Sequence, residues 1–225
     1  KKNEKKNYKS RKEISFPALA LVISGGHTQI IKVNKIGDYE ILAQSLDDDI
    51  GEALDKGARM LGLGYPGGPI IEKQAKEGDA KRYPLPLPMA GREGKAFSYW
   101  GLKTAFYRLI EKKQETRNKK QLTEGERKDL AAAYQEMVFK HLIRTLRIKM
   151  QDAKEQVPRN KHQDLLVGGG VAANQTLRGK LEELGEEMGF RVWFPANLQL
   201  CTDNAAMIGV AAGFKAERGE FVEPD

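Results

Sequence analysis

The sequence predicts an α/β fold, and three observations carry that expectation. Apolar runs of strand length at residues 18–23, 28–33 and 39–43 are separated by Gly25-Gly26 and by the polar stretch 34–38. Two further short apolar runs, 164–167 and 191–194, alternate with segments of helical period. Two glycine-rich turns, Ser24-Gly25-Gly26-His27-Thr28 and Gly168-Gly169-Gly170-Val171-Ala172-Ala173-Asn174, each follow directly on an apolar run. Glycine lets backbone N–H groups approach an anion, and a preceding strand gives them a rigid base. The two turns therefore read as backbone cradles for one phosphate-bearing ligand.

Taken in order, residues 1–15 form a basic leader or linker. Lys1 to Lys12 holds seven Lys or Arg and one Glu, so this stretch carries six of the seven net positive charges of the 225-residue chain. It lacks the apolar residues to build a core and reads as a mobile segment, either a solvated linker or a non-specific contact to an RNA backbone. Residues 16–64 open a domain of order β-β-β-α: an antiparallel meander, then a helix from about Gly51 to Leu61 with Ala53, Leu54, Ala58 and Leu61 as its apolar stripe. Asp48 or Asp49 supplies its cap. Pro66, Pro69, Pro84, Pro86 and Pro88 break the chain over 65–125, which reads as an inserted lobe with one or two helices.

Regular structure resumes over 126–219, with 220–225 as a tail. A helix from about Glu126 to Lys154 places Leu130, Tyr134, Met137, Val138, Leu142 and Leu146 on one face, a core stripe. Strand, helix, strand and helix follow at 164–167, 175–188, 191–194 and 203–216. Their connections are long enough for parallel pairing. The longest apolar run, near Ala18–Ile23, falls far short of a bilayer span, so the expectation is a cytoplasmic protein with no membrane partner. The lone Cys201 excludes an intramolecular disulfide and reads as a small buried residue.

Several polar residues fit two roles each. Asp203 fits a helix cap or a metal ligand. Asp55 fits an acceptor for ligand hydroxyls or an i,i+4 partner for Arg59. His27 fits a phosphate donor or a turn residue bonded to backbone; Asn174 fits a base- or sugar-orienting group or a helix cap. His27, His141 and His162 form no HxxxH or HExxH pair and there is no CxxC, so no complete metal site is present. A GxSxG elbow and a GxxxxGK[ST] loop are also missing, and the serine hydrolase, P-loop and Rossmann readings are weak.

Six blocks in order carry a resemblance: Val22-Ile23-Ser24-Gly25-Gly26-His27-Thr28-Gln29; Leu46-Asp47-Asp48 with Gly51-Glu52-Ala53-Leu54-Asp55-Lys56; Gly62-Leu63-Gly64-Tyr65-Pro66-Gly67-Gly68-Pro69; Gly101-Leu102-Lys103-Thr104-Ala105; Gly169-Gly170-Val171-Ala172-Ala173-Asn174; and Leu200-Cys201-Thr202-Asp203-Asn204-Ala205-Ala206-Met207-Ile208. From about Phe16 to Gly219 the chain resembles the tRNA N6-threonylcarbamoyladenosine synthase family, formerly called O-sialoglycoprotein endopeptidases. The resemblance implies an actin-like, Hsp70-like and sugar-kinase-like ATPase superfamily fold, of which this chain is one ribonuclease H-like half with a helical insertion. It implies a pocket for threonylcarbamoyl-adenylate, or an ATP-like nucleotide, with Val22, Ile23, Ser24, Gly25 and Gly26 at its phosphate and carbamoyl end. Asp55 and Gly68 would lie on the ribose side, Asn174 would complete the pocket, and His27 would be an additional contact.

The implied reaction transfers the threonylcarbamoyl group to the N6 amine of the tRNA adenosine beside the anticodon. Its implied partners are tRNA, a shorter paralogue and an ATPase subunit. Asp203 would bind one divalent metal ion, iron or zinc, together with two histidines on a family segment that precedes the first glycine turn and has no counterpart here. The chain is therefore expected to be the C-terminal part of a longer enzyme, inactive alone. The alternative is a non-catalytic nucleotide-binding scaffold of the same system. One departure stands out: where the family reads Phe-Ser-Phe-Ser-Gly, this chain has Phe97-Ser98-Tyr99-Trp100-Gly101.

Overall fold

A computed structural model describes residues 13–91, 94, 96–115, 121–156 and 163–221. The basic stretch Lys1 to Lys12 lies outside these residues. At the centre is β1 (Ala18–Ile23), whose alternating apolar residues put Leu19, Leu21 and Ile23 into the core. It pairs antiparallel with β2 (Thr28–Lys35), which pairs antiparallel with β3 (Asp38–Gln44), giving the expected meander. On its other side β1 pairs parallel with β4 (Gln163–Gly168), and β4 pairs parallel with β5 (Phe190–Trp193). The mixed sheet thus has the order β3-β2-β1-β4-β5.

Helices pack over one face of this sheet. Helix α1 (Ile50–Met60) buries Ile50, Ala53, Leu54 and Ala58. Helix α4 (Glu124–Glu155) starts two residues earlier than its sequence pattern suggested, because Thr123 and Glu126 close a capping box. Its buried positions include Leu130, Tyr134, Val138, Leu142 and Leu146, with Met137 only partly covered. The Tyr134 hydroxyl donates to the Ala53 carbonyl at 3.0 Å and locks α1 to α4. Helix α5 (Gln175–Met188) adds Leu177, Leu181 and Leu184 to the same core.

The stretch expected to be an inserted lobe contains two helices, α2 (Gly67–Ala75) and α3 (Trp100–Glu115). Its Ile71, Phe97, Tyr99, Leu102 and Phe106 join the same apolar cluster as the sheet, so the lobe and the sheet share one core. The cap expected for α1 is corrected. Asp49 holds the N-cap position without a side-chain bond; instead the Ile50 N–H donates to Thr28 Oγ1 at 2.7 Å and the Gly51 N–H to the Ser24 carbonyl at 3.1 Å. Asp48 binds Lys56 and Lys103, both at 2.5 Å, tying α1 to α3. Burial opposes its ionisation, but these two ammonium groups override it and hold the carboxyl below its usual value.

Helix α6 (Ala205–Glu217) is capped by Asn204, whose Oδ1 accepts from the Met207 N–H at 3.0 Å. Asp203 is therefore not its cap, since the neighbouring amide is the side chain within reach of the first turn. None of its residues is buried, and Ile208 and Val210 are more than 60% exposed. No helix among the described residues is long and apolar enough to cross a membrane.

His141 on α4 is fully buried, with its Nε2 accepting from the Ser98 N–H at 3.3 Å and the Phe97 and Tyr99 rings against its edges. Burial pushes its pKa down from 6.5 to about 4, helped by Arg144. Because the folded value is depressed, the unfolded chain binds the extra proton between these two values. Stability is complete above about pH 6.5 and falls as pH drops towards 4, by about 3 kcal/mol from this group. Chemical denaturation across that window should show the loss, and His141→Gln should flatten it; equal slopes in the two proteins would refute the assignment. A second expectation concerns Gly169, whose φ is +95° and whose added Cβ would collide with the Ile23 carbonyl. Gly169→Ala should cost about 2 kcal/mol or more in thermal unfolding. Gly25→Ala, with nothing within 4 Å of the new Cβ, should leave the midpoint unchanged.

Candidate functional site

The two glycine turns meet because β1 and β4 are parallel neighbours, with Val22 beside Gly168 at their C-terminal ends. Ligands of open α/β sheets gather at such strand ends. The first turn is a tight hairpin loop, closed by the Ser24 N–H donating to the His27 carbonyl at 2.8 Å. Helix α1 starts against it: a Cβ on Gly51 would lie 2.6 Å from the Ser24 carbonyl, so this approach requires glycine. The second turn runs from Gly169 into a 3₁₀ turn, Gly170–Ala173, and then into α5.

Between the turns and α2 opens a cavity of about 460 Å³, a size ordinary for small-molecule sites. The first turn and the start of α1 contribute Gly25, Gly51, Leu54 and Asp55 to its lining, and the second turn contributes Gly170, Val171, Ala173 and Asn174. Tyr65, Pro66, Gly68, Pro69 and Glu72, at and around α2, and Thr202 complete it. Among the described residues no Lys, Arg or His lines the cavity. Its two carboxylates, Asp55 and Glu72, suit hydroxyl or amine donors and repel phosphate.

Asp55, on α1, accepts from the Gly67 N–H at 2.7 Å and caps α2 from outside. Arg59, its alternative i,i+4 partner, is exposed and is not its partner in this structure. Pro66 offers no side-chain cap and Pro69 has no N–H, which leaves the Gly68 N–H as the remaining donor of that first turn beside the cavity. Asn174 fills the capping role: its Oδ1 accepts from the Leu177 N–H of α5 at 3.0 Å, its Nδ2 donates to Gln135 at 3.3 Å, and the residue lines the cavity.

Other sequence candidates fall outside this cavity. Of the run Val22–Gly26, only Gly25 lines it. Ile23 is fully buried, so its side chain belongs to the core. His27 projects from the hairpin as an exposed residue, and it is its carbonyl that bonds to Ser24. Asp203 is exposed, one residue beyond the cavity-lining Thr202. No group of three or more His, Cys, Asp or Glu gathers among the described residues. A single carboxylate is not a metal site, so the residues present do not by themselves fit the expected ion.

Glu72 was missed by sequence reasoning. It lines the cavity and accepts from the Gln175 N–H at 3.0 Å, so a carboxylate from α2 occupies the N-terminus of α5. The run Gly62-Leu63-Gly64-Tyr65-Pro66-Gly67 has the spacing of a dinucleotide fingerprint, yet it follows helix α1 and no strand, so it lacks that motif's context. Trp100 begins α3 and is 62% exposed, while Ser98 donates to Asp47.

A relative from Wolinella succinogenes named tRNA N6-adenosine threonylcarbamoyltransferase is 44% identical over 212 residues, covering 94% of this chain and 60% of the relative. One of the same name from Dichelobacter nodosus is 46% identical over 206 residues, covering 92% and 56%. The chain therefore spans about 60% or less of these relatives' length. Among solved structures, full-length HypF in its phosphate- and nucleotide-bound form is similar in fold, with a TM-score of 0.59 at 11% identity over 91% of this chain and 34% of HypF. The family described as tRNA N6-adenosine threonylcarbamoyltransferase matches residues 4–210, and the chain belongs to that family.

Proposed function

We propose that this chain forms one side of the adenylate site of a tRNA N6-adenosine threonylcarbamoyltransferase, built on an actin-like scaffold of which it is a ribonuclease H-like half. The observation that carries the reading is the cavity where Gly25 and Gly170 from the two turns meet Asp55, Gly68 and Asn174. In this reading the glycine end takes the phosphate of threonylcarbamoyl-adenylate. The Asp55 carboxylate and the Gly68 N–H, an acceptor and a donor on neighbouring helices, take the ribose hydroxyls. Asn174 and the wall Val171–Ala173 flank the nucleoside.

The reaction joins the N6 nitrogen of a tRNA adenosine to the carbamoyl carbon, breaks the bond from that carbon to the phosphate oxygen, and releases AMP and the amine's proton. The chain's contribution is positional. Holding the activated carbonyl at a fixed point turns a bimolecular encounter into a local one, and backbone donors at the leaving phosphate lower the barrier to its departure. Iron or zinc in the longer protein would polarise that carbonyl, with Asp203 as this chain's contribution to its ligands. tRNA is the acceptor in this scheme, and the shorter paralogue and ATPase subunit are its protein partners.

Two measurements test the reading. AMP should bind the chain in titration calorimetry, and Asp55→Ala should weaken it by about tenfold, the scale of one charge-assisted hydrogen bond; equal affinity in both proteins would remove Asp55 from the site. In a longer protein carrying this chain, Asp203→Ala should abolish formation of N6-threonylcarbamoyladenosine in tRNA with the thermal midpoint unchanged. Normal modification by that variant would overturn the role given to Asp203.

A further inference from the structure

Arg178, on the second turn of α5, touches two separate segments that border the cavity. Its Nε–H donates to the Ala172 carbonyl at 2.6 Å, and an Nη2–H reaches Cys201 Sγ at 3.4 Å. The guanidinium also lies over the Phe194 ring, 4.6 Å from its centroid. Ala172 sits within the 3₁₀ turn Gly170–Ala173, three of whose residues line the cavity. Cys201, only 3% exposed, ends a second 3₁₀ turn, Leu198–Cys201, and leads directly into Thr202 and Asp203. The two segments approach each other: a Cβ on Gly170 would lie 3.9 Å from Thr202 Cγ2.

We infer that Arg178 is a positioning residue that holds the second glycine turn and the Cys201–Asp203 segment in one fixed relation. This rests on the nucleotide reading of the cavity. Helix α5 is the rigid base, anchored nearest Arg178 by the buried Leu177 and Leu181. A planar guanidinium presents donors in fixed directions, so one side chain can satisfy two acceptors from different segments while stacking on an aromatic ring. The sulfur is a weak acceptor, so the Ala172 bond supplies most of the attraction and the Phe194 stack sets the plane. Lysine, a single flexible point charge, reaches one acceptor and leaves the other free. Thr202 and Asp203 are thereby placed relative to Gly170 and Val171 by a residue that does not line the cavity itself.

The test uses the full chain with Arg178→Met, Arg178→Lys and Leu184→Ala, the last being a buried α5 position that does not line the cavity. Amide hydrogen exchange at 170–173 and 198–203 is measured alongside AMP affinity by calorimetry. Arg178→Met should speed exchange in both segments and weaken AMP at least tenfold. Arg178→Lys should restore protection at 170–173 but not at 198–203, and Leu184→Ala should lower the thermal midpoint while keeping AMP affinity within twofold. Unchanged exchange at either segment in Arg178→Met, or an equal loss of AMP affinity in Leu184→Ala, overturns the inference. If the wild type binds no AMP while the exchange coupling persists, the nucleotide reading and the cavity role of Arg178 fail together, and only the clamp between two segments survives.

Discussion

The site depends on one close approach, that of the Gly169 backbone to the Ile23 carbonyl where β1 and β4 end side by side. Any side chain at residue 169 would strike that carbonyl, and the positive φ there turns the chain out of β4 into the 3₁₀ turn that forms the cavity wall. The first hairpin is held as firmly, because α1 begins against it, the Gly51 N–H donating to the Ser24 carbonyl and the Ile50 N–H to Thr28 Oγ1. Both turns are therefore fixed by the core beneath them, and the ligand-facing backbone inherits the rigidity of the sheet.

Polar groups inside the molecule serve the same end. Asp164, whose side chain is fully buried, accepts from Arg191, from Trp193 Nε1 at 2.8 Å and from the Ser15 N–H at 2.6 Å. Its desolvation opposes ionisation, and these donors override that cost, holding the carboxyl below its usual range. The cluster joins β4 to β5 and fastens the chain entering β1. Asp48, clamped between Lys56 and Lys103, does the same for the α1–α3 contact. A buried carboxylate with a full set of partners specifies geometry because any displacement leaves a charge unpaired.

Asp55 and Glu72 are the charged residues of the cavity lining among the described residues, and both already accept a helix-terminal N–H, from Gly67 and Gln175 respectively. They are thus held in place before any ligand arrives, which reduces the ordering cost of binding. Among the described residues no cation lines the cavity, so an anionic group there would have to be met by backbone donors.

Much of this was legible from residue order. Short apolar runs bounded by turns located the five strands of the described residues, the helical period of Leu130, Tyr134, Val138, Leu142 and Leu146 located the central helix, and the glycine turns pointed to the cavity. These signals are local, set by side-chain periodicity and by backbone freedom. What the sequence left open was which polar group meets which donor. Asp48 and Asp49 looked like caps for α1, but Thr28 and Ser24, more than twenty residues earlier, hold that end. Asp55 faced Arg59 on paper and instead caps α2, and Glu72 of α2 accepts from the Gln175 N–H at the start of α5. The sequence by itself determined the elements and the place of the glycine turns. Only the tertiary structure decided the hydrogen-bond partners, because a helix-terminal N–H bonds whichever acceptor the packing of distant elements brings within about 3 Å.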